Sequence, residues 1–248
     1  MTGTGGPAGE GRDDRLYFRQ LLSGRDFARG DAVARQMVNF AYLIGDGETR
    51  ECVVVDPAYA PAELVDIATA DGMRVIGALA THYHADHVGG ELFGREIAGL
   101  PTLLEHSPMP VHVQRDEAAW VVRAAGVGRD ELVAHDGDEV LQVGGIDIRL
   151  VHTPGHTPGS QCFLVDGRLV AGDTLFLEGC GRTDLPGGDA AAMYDSLVNR
   201  LAKLPDSTTL YPGHFYSAER SADLATTRRL NPVLLPRSAE EWLRLFAG

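Results

Sequence analysis

The segment Thr81-His82-Tyr83-His84-Ala85-Asp86-His87 puts three imidazoles and a carboxylate within one turn of chain. It follows directly on the apolar run Val75-Ile76-Gly77-Ala78-Leu79-Ala80. Packing gives no reason for such a cluster at the mouth of a buried strand, because every buried imidazole needs its own hydrogen-bond partner. Imidazole nitrogen and carboxylate oxygen are the ligand set of zinc, and also of non-haem iron. Three later segments repeat one device: a strand, a Gly/Pro turn and a residue able to bind metal. Thr153-Pro154-Gly155-His156-Thr157-Pro158-Gly159 presents His156, Ala171-Gly172-Asp173-Thr174 presents Asp173, and Tyr211-Pro212-Gly213-His214 presents His214. Any one of them alone reads as a turn or cap residue. All four in order point to a metal centre at the ends of several strands.

The elements that must carry these segments show in alternation and turn chemistry. Leu16–Leu22, 37–44 and 51–56 read as strands, the last two joined by the hairpin turn Gly45-Asp46-Gly47. A helix opens at Pro61 and runs to Ala70, ahead of the strand 74–80 that delivers the histidines. A short helix is expected at 91–97, a strand at 110–114, and a helix at 115–125 carrying Trp120. Strands follow at 139–143, Ile146–His152, Gln161–Val165 and 168–171. Residues 190–204 have helical spacing, 208–211 form a strand, and helices at 221–230 and 238–246 close the chain. Strands followed by helix, repeated in each half, point to packed sheets with helices outside.

The 248 residues, 44% hydrophobic and 23% charged, suit one large globular domain or two small ones. Nothing resembling a linker or short-period repeat divides them, so a single domain over 15–248 is expected, after a disordered Gly-rich segment at 1–14. No apolar run approaches the length of a membrane span and no secretory signal opens the chain, which points to a cytoplasmic protein without a membrane partner. A net charge of −13 argues against a nucleic-acid partner. Cys52, Cys162 and Cys180 show no paired spacing, and the first two sit in apolar strands as buried thiols.

With these motifs in this order, the chain resembles the metallo-β-lactamase fold superfamily from about Leu16 onward. The resemblance implies an α/β (α+β) fold, a four-layer αββα sandwich with a dinuclear site at one edge of its two sheets. Carried across position by position, it makes His82, His84 and His156 ligands of one metal. Asp86, His87 and His214 become ligands of a second, and Asp173 the bridge. His106, His112, His135 and His152 match no motif position and read as ordinary loop or strand residues. Within the superfamily, Leu175-Phe176-Leu177-Glu178-Gly179-Cys180-Gly181-Arg182-Thr183-Asp184 and His214-Phe215-Tyr216 are similar to glyoxalase II-type thioester hydrolases and to persulfide dioxygenases. That likeness implies a small thiol-conjugate substrate, with Arg182 gripping carboxylates of the thiol and Tyr216 donating to the substrate beside the metal. Asp86, holding the second metal and orienting the nucleophile, joins Tyr216 as a candidate catalytic residue.

Two enzyme readings follow from the resemblance. In the first, a glyoxalase II-like hydrolase of a hydroxyacylglutathione or related acyl-thiol uses two divalent ions: zinc, iron or a mixed pair. Such ions make water nucleophilic near neutral pH. In the second, a persulfide dioxygenase holds a single iron on His82, His156 and Asp173, a two-histidine, one-carboxylate face. Another dinuclear-zinc hydrolase, such as a lactonase, is a third. Glyoxalase II has tyrosine where this chain has Asp184, and only Arg237 and Arg244 stand in for its C-terminal basic residues. Persulfide dioxygenases usually carry cysteine at the position of Tyr83. Thioester hydrolysis is the first expectation, and the stretch 101–139 is expected to wall the substrate. No motif speaks to oligomeric state.

Overall fold

The computed structural model describes residues 15–236 and 238–246. The segment 1–14, expected to be disordered, and Arg237 lie outside the described residues. The strands in chain order are β1 (Leu16–Leu22), β2 (Phe40–Asp46), β3 (Glu51–Val55), β4 (Arg74–Leu79), β5 (Gly90–Leu92), β6 (Arg95–Ile97) and β7 (Val111–Gln114). There follow β8 (Leu132–His135), β9 (Val140–Val143), β10 (Ile146–His152), β11 (Gln161–Val165), β12 (Arg168–Gly172), β13 (Thr209–Pro212) and β14 (Ala222–Asp223). One six-stranded sheet runs β1-β2-β3-β4-β7-β8, a second runs β14-β13-β12-β11-β10-β9, and β5 pairs only with β6. The helices are α1 (Ala32–Met37), α2 (Pro61–Ala70), α3 (Ala85–Val88), α4 (Leu100–His106), α5 (Ala118–Ala125), α6 (Ala190–Asp195), α7 (Leu224–Leu230) and α8 (Ala239–Phe246).

The four layers follow from strands buried on both faces. Successive side chains of a strand point to opposite sides. In β2, Ala41 and Leu43 therefore join the apolar layer under α2 and α4, while Phe40, Tyr42 and Ile44 join the layer between the sheets. β3 divides the same way, Cys52 and Val54 against Val53 and Val55. From the second sheet, Ile146, Ile148, Leu150, Phe163 and Val170 enter the middle layer. Cys162, Leu169 and Ala171 face the third layer, with Met193, Leu197, Leu201 and Trp242 from the helical segments. Three apolar layers need four layers of backbone, and the αββα sandwich is the result. All three cysteines are free, and Cys52 and Cys162 are buried as read. No helix among the described residues is long and apolar enough to cross a membrane.

Several expected elements differ: the strand expected at 37–44 begins at Phe40, and the helix expected at 190–204 is α-helical only to Asp195, running on as a π-helical segment to Arg200 and a 3-10 turn to Lys203. The helix expected at 91–97 is the hairpin β5–β6, turned at Phe93 (φ 53°) and Gly94 (φ 73°). Two successive residues in the left-handed region make a hairpin turn whose twist suits the strands, and they forbid a helix. The helix expected at 221–230 begins only at Leu224. Ala222 and Asp223 pair first with β13 as an edge strand, and Asp223 then caps α7 by accepting from Thr226 N at 2.6 Å. α1, α4 and β8 are not anticipated from periodicity: the two helices are short and carried mainly by tertiary burial, and β8 is an edge strand held by its pairing with β7.

Candidate metal centre

All the motif segments leave the sandwich at one edge. β3 and β4 run parallel, as do β12 and β13, so Asp56, the histidine motif, Asp173 and His214 all follow C-terminal strand ends. β10 is antiparallel to β11 and β11 to β12, which brings the His156 loop to the same side. Hydrogen bonds lock the sheets together there, among them Gln161 N donating to Thr81 O at 2.9 Å and Phe40 N to Gly213 O at 2.7 Å. The approach is close enough that Gly172 (φ +48°) has Thr81 Cβ 2.7 Å from where its own Cβ would stand. A side chain at Gly213 would collide with Asp173 Oδ1.

The seven side chains picked out from the motifs meet at this edge. His82 Nε2 and His156 Nε2 each lie 3.0 Å from His84 Nδ1. His87 Nε2 is 3.3 Å from His214 Nε2 and 3.6 Å from Asp86 Oδ2, and His214 Nε2 is 3.4 Å from that same oxygen. Asp173 lies between the groups. Its Oδ1 is 3.5 Å from His87 Nε2, and its Oδ2 is 3.3 Å from His214 Nε2 and 3.7 Å from His156 Nε2. Three sets, His82/His84/His156, His82/His87/Asp173 and Asp86/His87/His214, each keep their donor atoms within 4.8 Å of one another.

Whether these donors suit a cation is decided by what their far sides touch. His156 Nδ1 donates to Arg182 O at 2.7 Å, and His214 Nδ1 to Met37 O at 2.8 Å. His87 Nδ1 donates to Asp56 Oδ2 at 2.8 Å. Carbonyl and carboxylate oxygens only accept, so each Nδ1 carries a proton and each Nε2 is turned inward, the arrangement found for metal-ligating histidines. Inward nitrogens 3 Å apart repel unless positive charge lies among them. Asp173 Oδ1 is buried and has no hydrogen-bond partner among the described residues. The donor set and the orphaned oxygen fit a metal ion.

Charge divides the cluster. Burial, then the facing imidazoles, holds His82 well below the usual range and His84 at about 4; burial also lowers His156. These three are neutral donors. Burial pushes His87 down as well, but Asp86 and Asp173 outweigh it and carry its pKa up to about 10. Burial would raise Asp173, yet His214 and His87 hold it well below the usual carboxylate range. Without a metal, the two carboxylates Asp86 and Asp173 draw protons onto His87 and His214 beside them, and a divalent ion would supply that positive charge in the protons' place.

Three supporting residues escaped the sequence reading. Asp56 accepts from Thr81 N (2.8 Å), Thr81 Oγ1 (2.7 Å) and His87 Nδ1, which ties the start of the motif to its last histidine. Asn39 Nδ2 donates to Asp86 Oδ2 at 3.0 Å, and Tyr59 OH holds the amide by donating to Asn39 Oδ1 at 2.9 Å. Glu117, 1% exposed, accepts from Tyr83 N and Gly159 N at 2.7 Å each and so clamps the His82/His84 loop to the His156 loop. Burial lifts its pKa to about 7 against the hydrogen bonds that favour the ionised form. Asp56 carried the one available signal, a carboxylate at a strand end like the others. Glu117→Ala is expected to weaken metal binding roughly 10- to 100-fold, the usual cost of losing an outer partner of a ligand. A calorimetric metal titration checks it; an unchanged Kd would show the two loops hold their shape without the clamp.

The site opens into a cleft of about 1020 Å³. Tyr216 lines it, stacked on His214 with centroids 4.6 Å apart. Burial, then Asp173 and Asp86, raises its phenol above the usual range, so it remains a donor. Arg182 lines it too, but its guanidinium is held by Asp184 through two hydrogen bonds of 2.6 Å. The expected substrate wall at 101–139 contributes Trp120, Arg123 and Ala124 from α5. Arg244 is not among the lining residues. His112 and His135 pair with each other at 2.8 Å, His152 faces Pro158 O at 3.0 Å, and His106 ends α4; none joins the cluster.

Comparison with known proteins gives three findings. The sequence pattern of the metallo-beta-lactamase superfamily matches residues 34–214. The mitochondrial persulfide dioxygenase ETHE1 of Homo sapiens is 32% identical over 239 residues, covering 93% of this chain and 86% of its own. Among solved structures, ETHE1 from Myxococcus xanthus is similar with a TM-score of 0.76 and 29% identity, over 94% of this chain and 90% of that one. TTHA1623 in a di-iron-bound form is similar with a TM-score of 0.60 and 30% identity, over 79% and 95% of the two chains.

Proposed function

We propose, from the premise that the chain belongs to the metallo-beta-lactamase superfamily, that it is an iron-dependent dioxygenase of a low-molecular-weight persulfide. The observation that carries the choice is the near-full-length likeness to persulfide dioxygenases. It favours this reading over the thioester hydrolase expected first. The site supports it: His82, His156 and Asp173 supply two histidines and a carboxylate, and a similar structure holds iron.

Iron on such a face supplies open positions for O₂ and a sulfur ligand. The chain's own residues do the rest. Arg182 O fixes the tautomer of His156 through Nδ1, and the Thr81 hydroxyl lies 3.0 Å from His82 Nδ1. Met37, Leu92, Phe93, Phe176 and Leu185 give the cleft apolar walls that exclude water from a reactive sulfur species. The Tyr216 phenol, packed on His214, donates toward the bound persulfide. Both oxygen atoms of O₂ go to the outer sulfur, and with one water the products are the free thiol and sulfite.

His87→Ala separates the readings. His87 groups with Asp86 and His214 and also stands beside His82 and Asp173, but it is not one of the two histidines and the carboxylate proposed to hold the iron. Persulfide-dependent O₂ uptake by the iron-loaded variant is expected to stay within about 10-fold of wild type, whereas loss of a ligand from a working dinuclear hydrolase would cost more than the 10- to 100-fold of an outer partner. Thioester hydrolysis by wild type without O₂ uptake on glutathione persulfide would sink the dioxygenase reading.

A further inference from the structure

Two arginines line the cleft, and their guanidinium groups are differently placed. That of Arg182 is paired with Asp184, donating from Nε and Nη2 to the two carboxylate oxygens, so its charge is already matched. Arg123 has no carboxylate within 4.0 Å among the described residues, its contact being the face of Trp120, 4.9 Å from guanidinium carbon to ring centroid. A guanidinium stacked on an indole keeps its in-plane donors free for a planar anion. Its mounting is rigid. The Trp120 ring stacks on Tyr83 (5.0 Å, 25°), whose hydroxyl donates to Pro186 O at 2.8 Å and whose backbone N–H is held by Glu117. The Tyr83 ring in turn lies 4.6 Å from that of His84. The cation is thus tied to the metal-ligand loop by three ring-scale contacts in series, a span within reach of a carrier several residues long, at about 3.3–3.6 Å per extended residue.

The other charges at the mouth are acidic. Glu91 and Glu178 line the same cleft, and the whole chain carries −13. In that field, among the described residues lining the cleft, a carboxylate on the substrate has one arginine not already paired with a carboxylate. We propose that Arg123, mounted on Trp120, receives a carboxylate of the substrate's thiol carrier, and that α5 therefore selects carboxylate-bearing, peptide-sized persulfides. This deepens the dioxygenase reading and rests on it for the reacting end of the substrate. It also gives Asp184 a role: by pairing with Arg182, it leaves anion recognition to α5.

The test is a binding measurement on metal-loaded protein, with S-methylglutathione and its diethyl ester as probes. Wild type is expected to bind the free acid about 10- to 100-fold more tightly than the ester, the range for one charge-assisted hydrogen-bonded contact. In Arg123→Ala the ratio should collapse to about one, and Arg123→Lys should restore part of it. With persulfides of the same two carriers, the collapse should appear in KM far more than in kcat. A ratio unchanged in Arg123→Ala, or one lost in Arg182→Ala instead, overturns the assignment. O₂ uptake by wild type on glutathione persulfide is read separately and decides only the dioxygenase reading, so the two can fail independently.

Discussion

Asp173→Ala is expected to remove persulfide-dependent O₂ uptake almost completely, by well over the roughly 10- to 100-fold that loss of an outer partner costs. The reason is position. Among the described residues Asp173 is the one carboxylate within 4 Å of His87, His156 and His214 together, so it stands beside both histidine groups. The metal-free protein should lose some stability with it: Oδ1 has no hydrogen-bond partner, but the carboxylate as a whole is held ionised by His214 and His87, and its removal leaves the buried His87 charge less compensated. The expected pattern is therefore a near-complete loss of metal and turnover with a smaller, partial fall in the melting temperature of the metal-free form. Elemental analysis, O₂ electrode and thermal melting together check it. Retained iron and turnover would place the metal on the three imidazoles His82, His84 and His156 instead.

Asp56→Ala is expected to have the opposite balance, costing the fold first. The change strips the acceptor from three donors, of which Thr81 N and His87 Nδ1 lie at buried residues with no way to reach water. At about 1–3 kcal/mol for each unsatisfied group, those two alone amount to about 2–6 kcal/mol. For a chain of this size that corresponds to a fall of about 5–20 °C in melting temperature. Alanine also meets a left-handed backbone at this position (φ 52°), which aspartate tolerates better. His87 would lose the partner that fixes its tautomer, so the metal affinity of the Asp86/His87/His214 group should fall as well. A melt and a metal titration that both match wild type would show that Asp56 is dispensable to the motif.

The two substitutions mark how the site is built. Asp173 stands at the end of β12, on the same kind of strand-and-glycine turn that presents His156 and His214. Each of those turns is local, so a reader of the chain sees the residue and its presentation together. Asp56, Asn39 and Glu117 act across separations of 25, 47 and 34 residues to reach Thr81, Asp86 and Tyr83. No spacing rule covers such pairs, because they depend on which strands lie side by side.

By itself the sequence determined the layered architecture and the metal-binding character of the chain. Strands with apolar residues on both faces must be covered on both faces, and imidazoles at strand mouths must find partners. It also carried Pro61–Ala70 and the strand pairs around the motif, where turn and cap signals lie within the element. Tertiary structure decided the rest. The 91–97 stretch became a hairpin because Phe93 and Gly94 turn left-handed where β5 packs beside α3 and α5. Arg182, expected to grip the thiol's carboxylates, has Asp184 fixed against it by folding, and Arg123, which no motif singles out, reaches the cleft on α5. A charged side chain's role depends on what lies within about 4 Å of it. For long, rotatable side chains that neighbourhood is set by packing and cannot be seen in the order of residues.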